Sequence, residues 1–256
     1  MNALLIRIGN FFFRHRNRVF PLLMAAGVLL LRPRFPAGSY FWNSVLDVAG
    51  LAICLAGQAL RAATIGYDYI KRGGRGRQIW AGRLVQGGMF AHSRNPLYLG
   101  NILIFCGLVV VFSAPLAYAI GIPAVLFIYV CLILAEESFL RGKFGAEYDA
   151  YAARVNWLWP DLRGFSDSVK DMTFRWKRVL HKEYGTTFGW VFAAIGLRAW
   201  SLYWVQREAA RAEITATLLL LIPAILAYAW IRRLKKSGRL EENDAATEDG
   251  ISPPKD

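Results

Sequence analysis

Two long apolar runs, residues 97–112 and 115–135, meet at Ser113, Ala114 and Pro115. Backbone exposed to lipid must satisfy its own hydrogen bonds, so runs of this kind cross a bilayer as helices. So short a joint permits only a tight helical hairpin whose outer ends return to the same side. Further apolar stretches lie at 19–31, extended by the phenylalanines at 11–13, and at 42–65, 187–204 and 214–230. Each approaches the roughly 20 residues a helix needs to traverse the hydrocarbon core. The fold class expected is all-α: a polytopic membrane helical bundle of about six transmembrane helices with a tight central hairpin.

Hydrophobic residues make up 55% of the chain and nine are tryptophan, more apolar surface than a soluble domain buries. The formal charge of +13 raises the question of nucleic acid. The basic residues adjoin apolar runs and no aromatics interleave them, so no nucleic-acid partner is expected. Cys54, Cys106 and Cys131 each sit inside an apolar run without metal-ligand spacing, and no metal is expected. The basic start resembles a signal peptide, yet Arg32, Pro33 and Arg34 follow the first apolar run where a small-residue cleavage site would stand. Arg7, Arg14, Arg16, Arg18, Arg61, Lys71, Arg72, Arg75, Arg77, Arg83, Arg94, Arg232, Arg233, Lys235 and Lys236 fall on one side of a six-span arrangement. Arg32, Arg34, Arg207 and Arg211 fall on the other. The positive-inside rule then places both termini in the cytoplasm and the chain in a bacterial inner (cytoplasmic) membrane. Arg198 interrupts an apolar run, so it either snorkels or pairs inside the bundle.

Chemistry gathers at the open ends of the hairpin. The first segment runs Gly87-Gly88-Met89-Phe90-Ala91-His92-Ser93-Arg94-Asn95-Pro96-Leu97-Tyr98-Leu99-Gly100. Its glycines allow close backbone approach, and Pro96 suits the first turn of a helix whose unpaired N–H groups attract polar ligand atoms. A plainer reading makes it a helix entrance with Arg94 and Tyr98 as interfacial anchors. The second segment contains Glu136-Glu137, then Phe144, Gly145, Tyr148, Tyr151 and Arg154. Paired carboxylates at a helix C-terminus oppose its dipole, which invites a functional explanation. The bland alternative pairs them with Arg94, Arg141 or Lys143.

Together these residues resemble the integral-membrane methyltransferases that include isoprenylcysteine carboxyl methyltransferase and the phospholipid N-methyltransferases. That family carries Arg-His-Pro-x-Tyr-x-Gly, an apolar stretch and Glu-Glu; the likeness spans roughly residues 40 to 162. Asn95 stands where many members have histidine, and asparagine carries no proton near neutral pH. The resemblance implies S-adenosylmethionine as cofactor, with Arg94, Asn95, Pro96, Tyr98, Gly100 and Glu136 at its site and His92 beside it. It implies Glu137 and Arg154 as catalytic residues, with Arg141, Tyr148 and Arg154 binding substrate. Glu137 would act as base toward a protonated amine, whereas a carboxylate acceptor needs none. His181 lies outside the likeness and reads as an ordinary hydrogen-bonding residue.

The partners implied are a lipid-like or prenylated acceptor and the membrane lipids themselves. Two competing functions are an NADPH-dependent reductase of sterol type and a non-enzymatic scaffold for anionic lipid. The scaffold does not explain the spacing of Arg94–Tyr98 and Glu136-Glu137; the reductase predicts nicotinamide binding, and no soluble dinucleotide fingerprint is present. The expected division is a basic segment with the first helix at 1–41, a methyltransferase-like core at 42–163, a linker and helix pair at 164–236, and a disordered polar tail at 237–256.

Overall fold

The computed structural model describes residues 3–68 and 79–240 and is all-α, with no strand among the described residues. Lys71, Arg72, Arg75 and Arg77 of the charge argument, and the polar tail from 241 onward, lie outside the described residues. Nine α-helices follow in order among those described: α1 (Ala3–Leu30), α2 (Tyr40–Tyr67), α3 (Pro96–Phe112), α4 (Ile122–Phe144), α5 (Ala146–Arg154), α6 (Phe165–Val169), α7 (Trp176–Gln206), α8 (Arg211–Leu219) and α9 (Leu221–Lys236). Tyr40–Tyr67, Ala117–Phe144 and Trp176–Lys236 are long and apolar enough to cross a membrane; the last folds back at Arg207–Ala210. The apolar helix α3 is shorter, at 17 residues.

The expected hairpin is present. Ser113 ends α3 in the left-handed region, at φ 53°, and a π-helical turn at Ala117–Gly121 leads into α4. The two arms do not rely on each other for packing. α3 lies mainly on α2 and α4 mainly on α1, so the arms part and leave space between them.

Small residues set the α2–α3 crossing. A Cβ on Gly107 would stand 2.5 Å from both the Cys54 Sγ and the Gly50 carbonyl oxygen, and one on Gly57 would stand 2.6 Å from the Gly100 oxygen. Glycine at these positions brings the two backbones together, which is how helices gain packing energy in lipid. Gly9 does the same for α1 against the Cys131 carbonyl of α4. Helix α7 doubles back onto α8 and α9, with Tyr184, Phe188 and Phe192 against Tyr228 and the Lys235 ammonium over the Tyr184 ring. The first turns of α1 and the last turn of α9 therefore lie at the same end of the bundle as the C-terminus of α4.

Arg198 resolves as bundle pairing. It binds Asp47 of α2, and its Nη2 lies 2.6 Å from Glu213 of α8. Asn43 Nδ2 donates to Asp47 at 3.0 Å, and Ser113 Oγ donates to Asn43 at 2.6 Å. This polar knot ties α2, the hairpin turn, α7 and α8 together at the far end.

Candidate active site

At the other end, where α2 stops and α3 starts, a cavity of about 550 Å³ opens between the parted arms. The first turns of α3 supply Asn95, Pro96, Tyr98 and Asn101, and α4 supplies Tyr129 and Glu136. Pro96 occupies the first helical position, where its missing N–H costs nothing. The wall is completed from outside the hairpin: Phe13, Arg16, Asn17 and Phe20 of α1, Arg61 and Ile65 of α2, Trp80, and Lys182, Glu183 and Thr186 of α7.

The adjacent glutamates have different surroundings. Successive residues on a helix point about 100° apart, so only one can face the opening. Glu136 lines the cavity. Glu137 accepts from Asn95 Nδ2 at 3.3 Å and lies 3.1 Å from Arg94 Nη1, with both members of the ion pair largely buried. Tyr148, fully buried, stands beside this pair. Burial, then the negative charge of Glu137, pushes the Tyr148 phenol upward, so it stays neutral at neutral pH.

A strap formed by residues 155–161 is laced onto the loop that carries Arg94 and Asn95. Arg94 N donates to the Asn156 carbonyl at 2.9 Å, Ser93 Oγ to Leu158 at 2.7 Å, Asn95 Nδ2 to Trp157 at 2.9 Å, and Asp161 N to His92 at 3.1 Å. His92 is buried beneath it, with Nδ1 at the Asp161 carbonyl and Nε2 2.9 Å from Ser168 Oγ. Tyr151 anchors α5 by donating to the Phe90 carbonyl at 2.8 Å. Arg163 holds the exposed Asp161 carboxyl down at about 2 through side-chain and backbone hydrogen bonds.

Of the residues singled out in the sequence, Asn95, Pro96, Tyr98 and Glu136 line the cavity. Arg94, Glu137 and Tyr148 form the buried cluster behind it, and His92 fastens the strap. Gly100 faces α2 instead: a Cβ there would stand 2.5 Å from the Arg61 Cγ, so its lack of a side chain admits Arg61 to the cavity. Arg141 pairs with Asp149 at 2.7 Å, and Arg154 is exposed and donates to Gln86; neither lines the cavity.

The sequence reading missed one pair altogether. Arg61 Nε and Nη2 each lie 2.7 Å from an oxygen of Glu183, and Arg61 Nη1 donates to Asn101 Oδ1 at 2.6 Å. Bidentate pairs of this kind are the strong ones. Gln58 Nε2 also donates to Glu183, at 3.2 Å, and Trp190 Nε1 donates to Gln58 at 3.0 Å. The available signal was register: Gly50, Cys54, Gly57 and Arg61 recur at helical spacing on one face of α2. Glu183 gave no such signal, because it stands in a polar stretch before an apolar run.

Comparison with known families bears directly on this geometry. Residues 46–147 match the phospholipid methyltransferase family. The matched stretch holds α2 from residue 46 onward, α3, α4, the loop with Arg94 and Asn95, and both glutamates. A membrane methyltransferase is the coarse function this domain supports. No curated protein and no solved structure matched the chain.

Proposed function

We propose that the chain transfers a methyl group from S-adenosylmethionine to a lipid-like or isoprenylated acceptor, a carboxylate or an amine, at the cytoplasmic face of the membrane. The observation that carries this reading is the cavity itself, which gathers Asn95, Pro96 and Tyr98 with Glu136 inside a phospholipid methyltransferase domain. Its donor set suits the cofactor. Glu136, the Asn95 amide oxygen and the faces of Tyr98 and Tyr129 favour a sulfonium and an ammonium, while the Asn101 amide favours a carboxylate. When bound, the cofactor supplies an activated methyl group.

The chain's own residues then align and exclude. Asn95, Tyr98 and Glu136 would hold the donor and orient the acceptor toward its methyl group. Alignment of this sort contributes several kcal/mol of acceleration, on the order of 7 or more in favourable systems. The strap over the Arg94 loop would keep water out. Glu137, held by Arg94 and Asn95, would fix the positions of both, and Tyr148 would support that cluster. Because Glu136 borders the cavity and Glu137 is paired with Arg94, we read Glu136, in place of the Glu137 expected from the sequence, as the base toward an amine acceptor, while a carboxylate acceptor needs no base. Arg141, Arg154 and His92 would act from the rim, through the surface of α5 and the strap.

The test is binding of S-adenosylmethionine to the purified full chain in lipid nanodiscs, with Glu136→Gln beside the wild type. Glu136→Gln should weaken binding by about tenfold or more. Failure of the wild type to bind the cofactor would overturn the reading. Lipid mass spectrometry of cells with and without the protein would then identify the acceptor by the mass of one methyl group.

A further inference from the structure

The two arginines of the matched domain that serve the site are neutralised: Arg61 by Glu183 and Arg94 by Glu137. Arg16 is different. It lies on α1, outside residues 46–147, lines the same cavity and is partly buried. Its guanidinium rests 4.5 Å from the centroid of the Phe13 ring, and among the described residues it has no carboxylate partner. Its placement is rigidly set. Gly9 locks α1 to the Cys131 carbonyl of α4, and Phe13, buried with Ile128, Leu132 and Tyr129, holds the next turns.

Beside Arg16 runs an aromatic wall. Phe20 stacks on Tyr129 with centroids 5.5 Å apart and meets Phe105 at 4.9 Å. On its other side α1 has no extensive packing with α7 among the described residues, although Asn17 and Pro21 of one and Lys182 and Thr186 of the other border the same cavity.

A half-desolvated cation without a counter-ion is costly in a membrane protein and is relieved by an incoming anion. An apolar wall alongside it suits a chain. The geometry points to Arg16 as the residue that selects the acceptor, which is an amphiphile whose anionic group, a carboxylate or a phosphate, binds Arg16 while its apolar chain lies along Phe20 and Tyr129, with Phe105 packed behind Phe20. The inference rests on the reading of this cavity as the methyl-transfer site, and deepens it by naming the acceptor's charge. Arg16 takes no part in bond making. It is a specificity-determining contact supplied by α1, whereas the matched domain supplies the residues around Glu136.

The test uses the full chain in phosphatidylcholine nanodiscs and three probes of equal chain length: dodecyl phosphate, dodecanoate and neutral dodecyl maltoside. The wild type should bind at least one anionic probe about tenfold more tightly than the neutral one. Arg16→Gln should lose that preference, while Arg16→Lys, which keeps the charge, should retain it within about threefold. Which anionic probe binds better separates a carboxylate acceptor from a phosphate-bearing one. If Arg16→Gln fails to assemble, phenylglyoxal modification of the wild type decides: dodecyl phosphate or dodecanoate should shield Arg16, read by peptide mass spectrometry. Equal binding of all three probes, an unchanged preference in Arg16→Gln, or no shielding would overturn the proposal. Binding of S-adenosylmethionine is measured on the same samples. Anion preference without cofactor binding rejects the methyltransferase reading alone, and cofactor binding without Arg16-dependent preference rejects this inference alone.

Discussion

The two ends of the bundle solve the same problem, charge inside an apolar chain, in different ways. At the far end Arg198 lies between Asp47 and Glu213, with Tyr40 donating to Glu213 at 2.5 Å and Asn43 and Ser113 almost wholly buried behind. These three charges are consumed in joining α2 to α7 and α8. At the cavity end Arg61 is matched bidentately by Glu183, but the pair stands in the wall of an open space together with Glu136, Lys182 and Arg16. Charge used to fasten helices is enclosed by them, whereas charge used on a ligand borders a volume. The contrast is between an ion pair that only joins helices and one that borders a space a ligand could enter.

The sharpest way to break the comparison is Arg198→Leu. It removes the cation between two carboxylates, and stranding a buried charge costs about 3–5 kcal/mol. Thermal unfolding in nanodiscs should show a large loss of stability, while the protein that remains folded should bind S-adenosylmethionine as the wild type does. A large loss of cofactor affinity with unchanged stability would erase the distinction between the two ends.

Glu183→Gln at the cavity end should cost somewhat less, about 3 kcal/mol, because the amide still meets Arg61 and the released charge borders open space. Its signature should be dual: lower stability together with altered ligand affinity. Gly107→Ala tests the crossing that lies between the two ends. The added methyl must push apart Cys54 and the Gly50 backbone, at about 1–3 kcal/mol, seen as a lower unfolding temperature.

The smallest effect belongs to the strap. The Asp161 carboxyl sits at about 2, below its ordinary 3.8, so its stabilising contribution is fully present above 3.8 and is lost as pH falls through about 2. Hydrogen exchange in residues 155–161 should therefore not respond to Asp161 between pH 8 and pH 5. Arg163→Ala should leave exchange there nearly unchanged, since both partners are solvent-exposed.

The site was legible in part. The Arg94–Tyr98 loop and Glu136-Glu137 stood out because charged and turn residues interrupt apolar runs, and the short joint at Ser113 showed that they must meet. Which glutamate faces the ligand was not legible. The choice depends on the rotation of α4, set by Gly9 and Phe13 of α1 and by the pairing of Arg94. Arg61 and Glu183 escaped notice for a similar reason: 122 residues separate them, and no local pattern links them.

The amino-acid order by itself determined the helical class, the hairpin and the end at which the candidate site residues collect, since backbone pairing in lipid and apolar run length fix those features. Only the tertiary structure decided that α1 and α7, outside the expected core of 42–163, complete the cavity. It also decided that Arg198 is a clamp and that, among the described residues, Arg16 has no carboxylate partner. Those outcomes depend on helix rotation and on close approach at glycines, which arise between segments and are written in none of them alone.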